Sequence, residues 1–202
     1  MTRVCGQRRR KVTAKRSAET LRDVVDAFIS NHRIESRQEL RFFELQRSLA
    51  KAVRPAAMCE LPGGKRHPHQ RRIPKASLVE ATERLLAADL APAQDFDELH
   101  DAIADLISDI WMISELTIYD IAQRIGAHLG LQPKRVYLHR GTRTGARELG
   151  LGRGRKTLEM HELPQELRRL TAAEAEDCLC IYKDRLRAAA KRSSRNGPAS
   201  AD

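Results

Sequence analysis

The densest group of side chains able to do chemistry is His67-Pro68-His69-Gln70-Arg71-Arg72, flanked by Lys65, Arg66 and Lys75. Arginine forks take phosphate oxygens in pairs, and protonated imidazoles add donors. The group therefore predicts a phosphate clamp, with a plain exposed loop as the alternative. A metal site there is disfavoured, because Pro68 separates the two histidines and no cysteine pair stands at ligand spacing. Tyr137, His139 and Asp120 are the candidate acid–base groups, and they can act only if folding brings them to one pocket. Cys178 and Cys180, two apart on a helix, point to different faces, which predicts small apolar packing rather than a redox pair or zinc site.

Two further patterns are weaker. Gly150 to Thr157 is rich in glycine, but Arg155 stands between Gly154 and Lys156 and no strand precedes it, so it is not a phosphate loop. Arg153-Gly154-Arg155 matches the centre of an AT-hook arm without its following proline, leaving a flexible basic loop as the alternative. Asp95, Asp97, His100 and Asp101 lie close together, but acids in a first helical turn are explained by capping and the helix dipole. There is no nucleophile elbow, zinc-protease motif or dinucleotide fingerprint. No cofactor and no metal are expected.

The 202 residues carry 37 Lys+Arg and 27 Asp+Glu, a net charge of +10. That charge is segregated. Segments 1–16, 51–75, 134–156 and 183–195 hold 28 of the bases and 3 of the acids, a surplus of +25 against −15 for the remainder. Such clusters suit a polyanion, since Lys and Arg displace counterions condensed on phosphates. No window approaches the roughly 18 apolar residues of a membrane span, so no membrane partner is expected. The basic N-terminus is followed by no apolar stretch and is not read as a secretory signal. Four scattered cysteines fit a reducing cytoplasm, with association to the nucleoid if the source is bacterial.

The elements that must position these groups are helical. Aromatic residues are 4% of the chain, so the core rests on Leu, Ile, Val and Ala. Residues 1–16 predict a disordered basic arm, 17–190 an all-α domain and 191–202 a disordered tail. Within the domain, helices fill 18–54, a basic loop fills 55–76, and a helical core over 77–190 carries a hairpin near 110–117. Leu21, Val24, Val25 and Phe28 mark the first inner face. Ser36-x-x-Glu39, Ser77-x-x-Glu80, Thr117-x-x-Asp120 and Thr171-x-x-Glu174 read as capping boxes that open helices. The first of these helices runs to about Val53 with Leu40, Phe43, Leu45 and Leu49 inside, and Pro55 ends it. Asp95 or Asp97 caps a helix with Phe96, Leu99, Ile103, Leu106 and Ile107 inside. Gly130 stops the next helix, residues 131–157 form short helices or loops, and a last helix runs through Leu179, Tyr182 and Leu186.

Residues 107–147 order a helix, an apolar hairpin (Ile110-Trp111-Met112-Ile113), a capped helix and, after Val136-Tyr137-Leu138-His139, another helix start. This resembles the helix-hairpin-helix DNA glycosylase superfamily over about residues 95–150. The resemblance implies that hairpin amides at Ile113, Ser114 and Leu116 grip a DNA phosphate. Met112-Ile113-Ser114 stands for the family's Gly-apolar-Gly. Leu116 falls where many members have a catalytic Lys, and Tyr137 falls at the catalytic Asp, while His139 fits the pattern. The resemblance therefore implies a relative that binds without the family's catalysis. The alternative is two amphipathic helices with a short turn.

Three functions remain open. The first is binding to double-stranded DNA, with Lys134, Arg135, His139, Arg140, Arg143 and Arg147 holding the backbone beside the hairpin and Lys65, Arg66, His69, Arg71 and Arg72 adding affinity. The second is a divergent glycosylase-type repair enzyme. The third is an interaction module with an acidic protein partner, in which the acidic helices over 80–109 form a second face.

Overall fold

The computed structural model describes residues 19–193, so the arm expected over 1–16 and all but the start of the tail lie outside the described residues. The described chain is mostly helical, as its composition predicts. Nine α-helices follow in order: α1 (Leu21–Asn31), α2 (Arg33–Glu44), α3 (Leu49–Ala57), α4 (Lys75–Ala87), α5 (Phe96–Ile107), α6 (Glu115–Leu129), α7 (Arg140–Glu148), α8 (Ala172–Ile181) and α9 (Lys183–Ser193). Two three-residue strands, β1 (Arg135–Tyr137) and β2 (Thr157–Glu159), pair antiparallel with Val136 opposite Leu158. The sheet was not expected, since three residues are too few to show alternation.

Two hydrophobic clusters hold the fold. One gathers Phe43 of α2, Val53 and Ala56 of α3, Leu78 and Leu85 of α4, Phe96, Leu99 and Ile103 of α5, and Ile121 and Ile125 of α6. The other gathers Val24, Val25 and Phe28 of α1, Val136 and Leu158 of the sheet, Ala146 of α7, Leu179 of α8 and Leu186 of α9. Each such Leu, Ile or Phe contributes about 1.5–3 kcal/mol when fully buried. The contacts of α1 with α2 join the two clusters.

Capping differs from expectation in four places. The Ser36 amide already bonds the His32 carbonyl, so Ser36 lies inside α2, which starts at Arg33 after a one-residue kink. The helix expected to reach Val53 breaks at Leu45, which is exposed, and Ser48 caps a separate α3 that carries Pro55 within it. Proline 74, with φ fixed at −59°, starts α4 ahead of Ser77, which is buried. Ser114 takes the α6 cap, and the Thr117 amide donates to its Oγ at 3.3 Å. The expected Thr171–Glu174 box is present, and Asp95 caps α5. The last helix is two, parted at Tyr182, and α9 extends to Ser193, three residues into the expected tail. Gly130 has φ +73° and ends α6 as anticipated.

Candidate functional site

A polar junction lies where α2, α6, α8, the start of α7 and the 67–72 loop meet. Arg124 of α6 is buried, and its Nε and Nη2 donate to Glu39 of α2 at 3.0 and 2.8 Å. Its guanidinium also stands over the Phe43 ring. Gln70, buried in a single 3-10 turn (Pro68–Gln70), donates from Nε2 to Asp120 Oδ2 at 2.7 Å. Across the junction His139 is hydrogen-bonded to Glu176 of α8, and Thr142 Oγ1 donates to the same Glu176 oxygen at 2.5 Å. Ser36 reaches Asp177 at 3.4 Å.

Close helix approach makes this possible. At Gly145 a Cβ would lie 2.0 Å from the Leu179 carbonyl oxygen, and at Gly141 it would lie 2.4 Å from Cys180 Sγ. Only glycine lets α7 sit against α8 this tightly, and the contact brings His139, at the α7 N-cap, over Glu176 and Cys180. Atoms of His139, Glu176 and Cys180 that can ligate a metal all lie within 4.8 Å of one another.

Burial sets the electrostatics. It pushes the Asp120 carboxyl up to about 7, with Arg124 opposing and Glu176 adding to the rise. Burial, then the charges of Glu176 and Asp120, raise Asp177. Burial pushes the Cys180 thiol up to about 11, helped by Glu176. His67 falls to about 4 through burial and the neighbouring His69. Its ring centroid is 4.3 Å from that of His69. Partial burial of its imidazole and Arg124 lower His69, which also feels Glu176 and His139.

The structure brings His139 and Asp120 to this junction but not Tyr137. Tyr137 Oη donates to Asp97 and its ring packs on Phe96, His100 and Tyr119. Burial and the Asp97 hydrogen bond raise its phenol. Among the residues expected to hold a phosphate backbone, Ile113 and His139 are buried, and Leu116 is half-buried. Arg135 is paired with Asp97, and Arg66 Nη1 donates to the Ile73 carbonyl at 3.0 Å. Lys65, His69, Arg71, Arg72, Ser114, Lys134, Arg140 and Arg147 are exposed, and Arg143 is partly so. Pro68, His69, Arg71 and Arg72 line an open depression of about 580 Å³.

Cys178 and Cys180 do face apart. Cys178 packs in the second cluster, as expected of a small apolar group, but Cys180 turns to the polar junction instead. Arg124, Thr142, Glu176 and Asp177 were not singled out from the sequence, and Glu39, read there as a capping-box carboxylate, instead pairs with Arg124. Arg124 within Ile121-Ala122-Gln123-Arg124-Ile125 and Glu176 on an apolar helix were the available signals, since a charge on an inner face needs a partner. No helix among the described residues is long and apolar enough to cross a membrane. Comparison with protein-family models, curated proteins and solved structures finds no match.

Proposed function

We propose that the chain is a DNA-binding protein whose helix-hairpin-helix core, similar to that of DNA glycosylases, holds the phosphate backbone of double-stranded DNA. The observation that carries this reading is the position of Arg143. Its Nη2 donates to the Leu138 carbonyl at 2.5 Å and pairs with Glu115 at 3.2 Å, so the first turn of α7 lies beside the first turn of α6. Arg140, Arg143 and Arg147, at i, i+3 and i+7, share the α7 face opposite the buried Thr142, Gly145 and Ala146. The hairpin and this basic face are therefore neighbours.

The hairpin itself supports the reading. Met112, which stands where the resemblance puts a hairpin glycine, has φ +64°, the left-handed region that favours glycine. The first amides of α6 lie outside its hydrogen-bond ladder and face outward from the helix end. Glu115 alone would repel a phosphate there, and Arg143 neutralises it. Trp111 is 71% exposed at the tip, beside exposed Met112, an apolar edge able to lie against sugar or a base step.

Backbone gripping is insensitive to sequence and sensitive to salt. Fluorescence anisotropy of a labelled duplex tests it. Binding at low salt that weakens steeply with added salt supports the proposal, and no binding at low salt, or salt-independent binding, ends it.

The raised Asp120 carboxyl beside His139 favours a second reading, a divergent glycosylase-type enzyme. A carboxyl titrating at about 7 is suited to moving a proton near neutrality. Base release from damaged duplexes by the wild type, lost in Asp120→Asn and His139→Ala, supports it. Equal and negligible turnover in all three removes it.

A further inference from the structure

The His139–Glu176–Cys180 group has the composition and packing of a metal centre, independently of whether the chain binds DNA. Glu176 and Cys180 stand at i and i+4 on α8, so both project from one face. Gly141 and Gly145 let α7 close onto that face and deliver His139 to it, with potential ligand atoms of all three residues within 4.8 Å of one another. His139 and Glu176 are each 3% exposed.

One further observation bears on the site. His139 Nδ1 is buried without a hydrogen-bond partner, an uncommon state for an interior polar atom that Nδ1 of His67 and of His128 share. The buried guanidinium nearby, Arg124, is taken by Glu39.

We infer that His139, Glu176 and Cys180 bind one Zn²⁺ ion, leaving a fourth position to water or a bound group. A nitrogen, oxygen and sulfur donor set suits Zn²⁺, whereas the soft thiolate disfavours Mg²⁺ and Ca²⁺. Three protein ligands with one open position is the arrangement of catalytic rather than structural zinc. Loading replaces the Cys180 thiol proton and the His139–Glu176 hydrogen bond with bonds to the ion. Thr142, already donating to Glu176, remains to orient that carboxylate.

The test uses the full chain, stripped with a chelator and titrated with Zn²⁺ and, as a spectroscopic probe, Co²⁺. One equivalent of Zn²⁺ retained after desalting is expected. Co²⁺ should give a near-ultraviolet thiolate charge-transfer band that persists in Cys59→Ser and Cys178→Ser and vanishes in Cys180→Ser. Thr142→Val should weaken Zn²⁺ binding about tenfold, as loss of an outer partner does. Circular dichroism checks that each variant folds. If Cys180→Ser does not fold, Glu176→Gln, similar in volume, should lower Zn²⁺ affinity instead. Absence of a stoichiometric ion or charge-transfer band in the wild type overturns the assignment. So does a band that survives Cys180→Ser, or affinity unchanged in folded Glu176→Gln.

Discussion

Gln70 Nε2 donates to Asp120 Oδ2 at 2.7 Å, and this bond links the basic loop to the middle of α6. The two residues are 50 apart in sequence, and both ends of the Gln70 amide are engaged, with Arg124 Nη1 at 3.5 Å from Oε1. The loop that carries His67, His69, Arg71 and Arg72 is thereby held against the same helix whose first turn meets Arg143. The loop is tied to the core through Gln70.

Gln70→Ala should therefore act on both the loop and the core. It leaves a buried carboxyl without its donor, a loss of about 1–3 kcal/mol. Chemical denaturation should show that loss, and hydrogen exchange should quicken over 67–73 more than over α5. An unchanged exchange pattern would mean that the loop is held by other contacts.

Asp120 gives a pH dependence with a definite sign. An unfolded Asp titrates near about 3.9, whereas the folded carboxyl titrates at about 7. Between these values the native chain holds a proton that the unfolded chain has lost. The contribution of this group is complete below about pH 4 and is lost as pH rises to about 7. Asp120→Asn, neutral throughout, should gain stability relative to the wild type from pH 5 to pH 8. Thermal melts at the two pH values check this, and parallel shifts in both proteins would refute it.

Gly145 and Gly150 should respond to alanine for different reasons. A Cβ at Gly145 meets the Leu179 carbonyl at 2.0 Å, backbone that cannot step aside, so Gly145→Ala should cost about 1–3 kcal/mol or more. Gly150 has open space around it but φ +74°, so Gly150→Ala should cost about 1–2 kcal/mol through backbone strain alone. Of the two, only Gly145→Ala should disturb the His139–Glu176 contact, visible as a change in the His139 imidazole resonances.

These glycines also show where sequence reading stops. The repeated glycines of 131–157 suggest a loose connection, yet two of them permit the closest helix crossing in the site. The inner faces of α1, α5 and α6 are legible because burial leaves a 3.6-residue period at Val24, Leu99 and Ile121. The Thr171–Glu174 box is legible because nothing upstream competes for its cap, whereas Ser114 pre-empts Thr117 and Pro74 pre-empts Ser77. The junction is not legible, because its pairs are non-local. His139 and Glu176 are 37 residues apart, and Arg124 and Glu39 are 85 apart. Nothing in a local window says which inward charge meets which.

Breaking one of those pairs should be costly. Arg124 is 3% exposed, and Glu39→Gln would leave its guanidinium without an anionic partner. Removing one member of a buried pair costs about 3–5 kcal/mol. The partial exposure of Glu39 places the expected loss at the lower end. Urea denaturation of Glu39→Gln beside Arg41→Gln, whose partner Glu44 is on the surface, measures the difference. Equal effects would show that the Arg124 pair is solvated.

The basic face of α7 makes the sharpest prediction about function. Each phosphate neutralised contributes about −0.9 to the slope of log affinity against log salt. Arg140→Ala and Arg147→Ala should each flatten that slope by about this amount and weaken duplex binding at low salt. Arg84→Ala should not, because Arg84 is already neutralised by Glu80 and Asp109, at 2.5 and 2.6 Å. Arg143→Ala should do more than either of its neighbours. It removes one cation and also frees Glu115, whose carboxylate then stands at the first turn of α6 against an incoming phosphate. The double variant Glu115→Gln with Arg143→Ala should therefore bind DNA better than Arg143→Ala alone. If it binds no better, the hairpin end of α6 does not receive the phosphate.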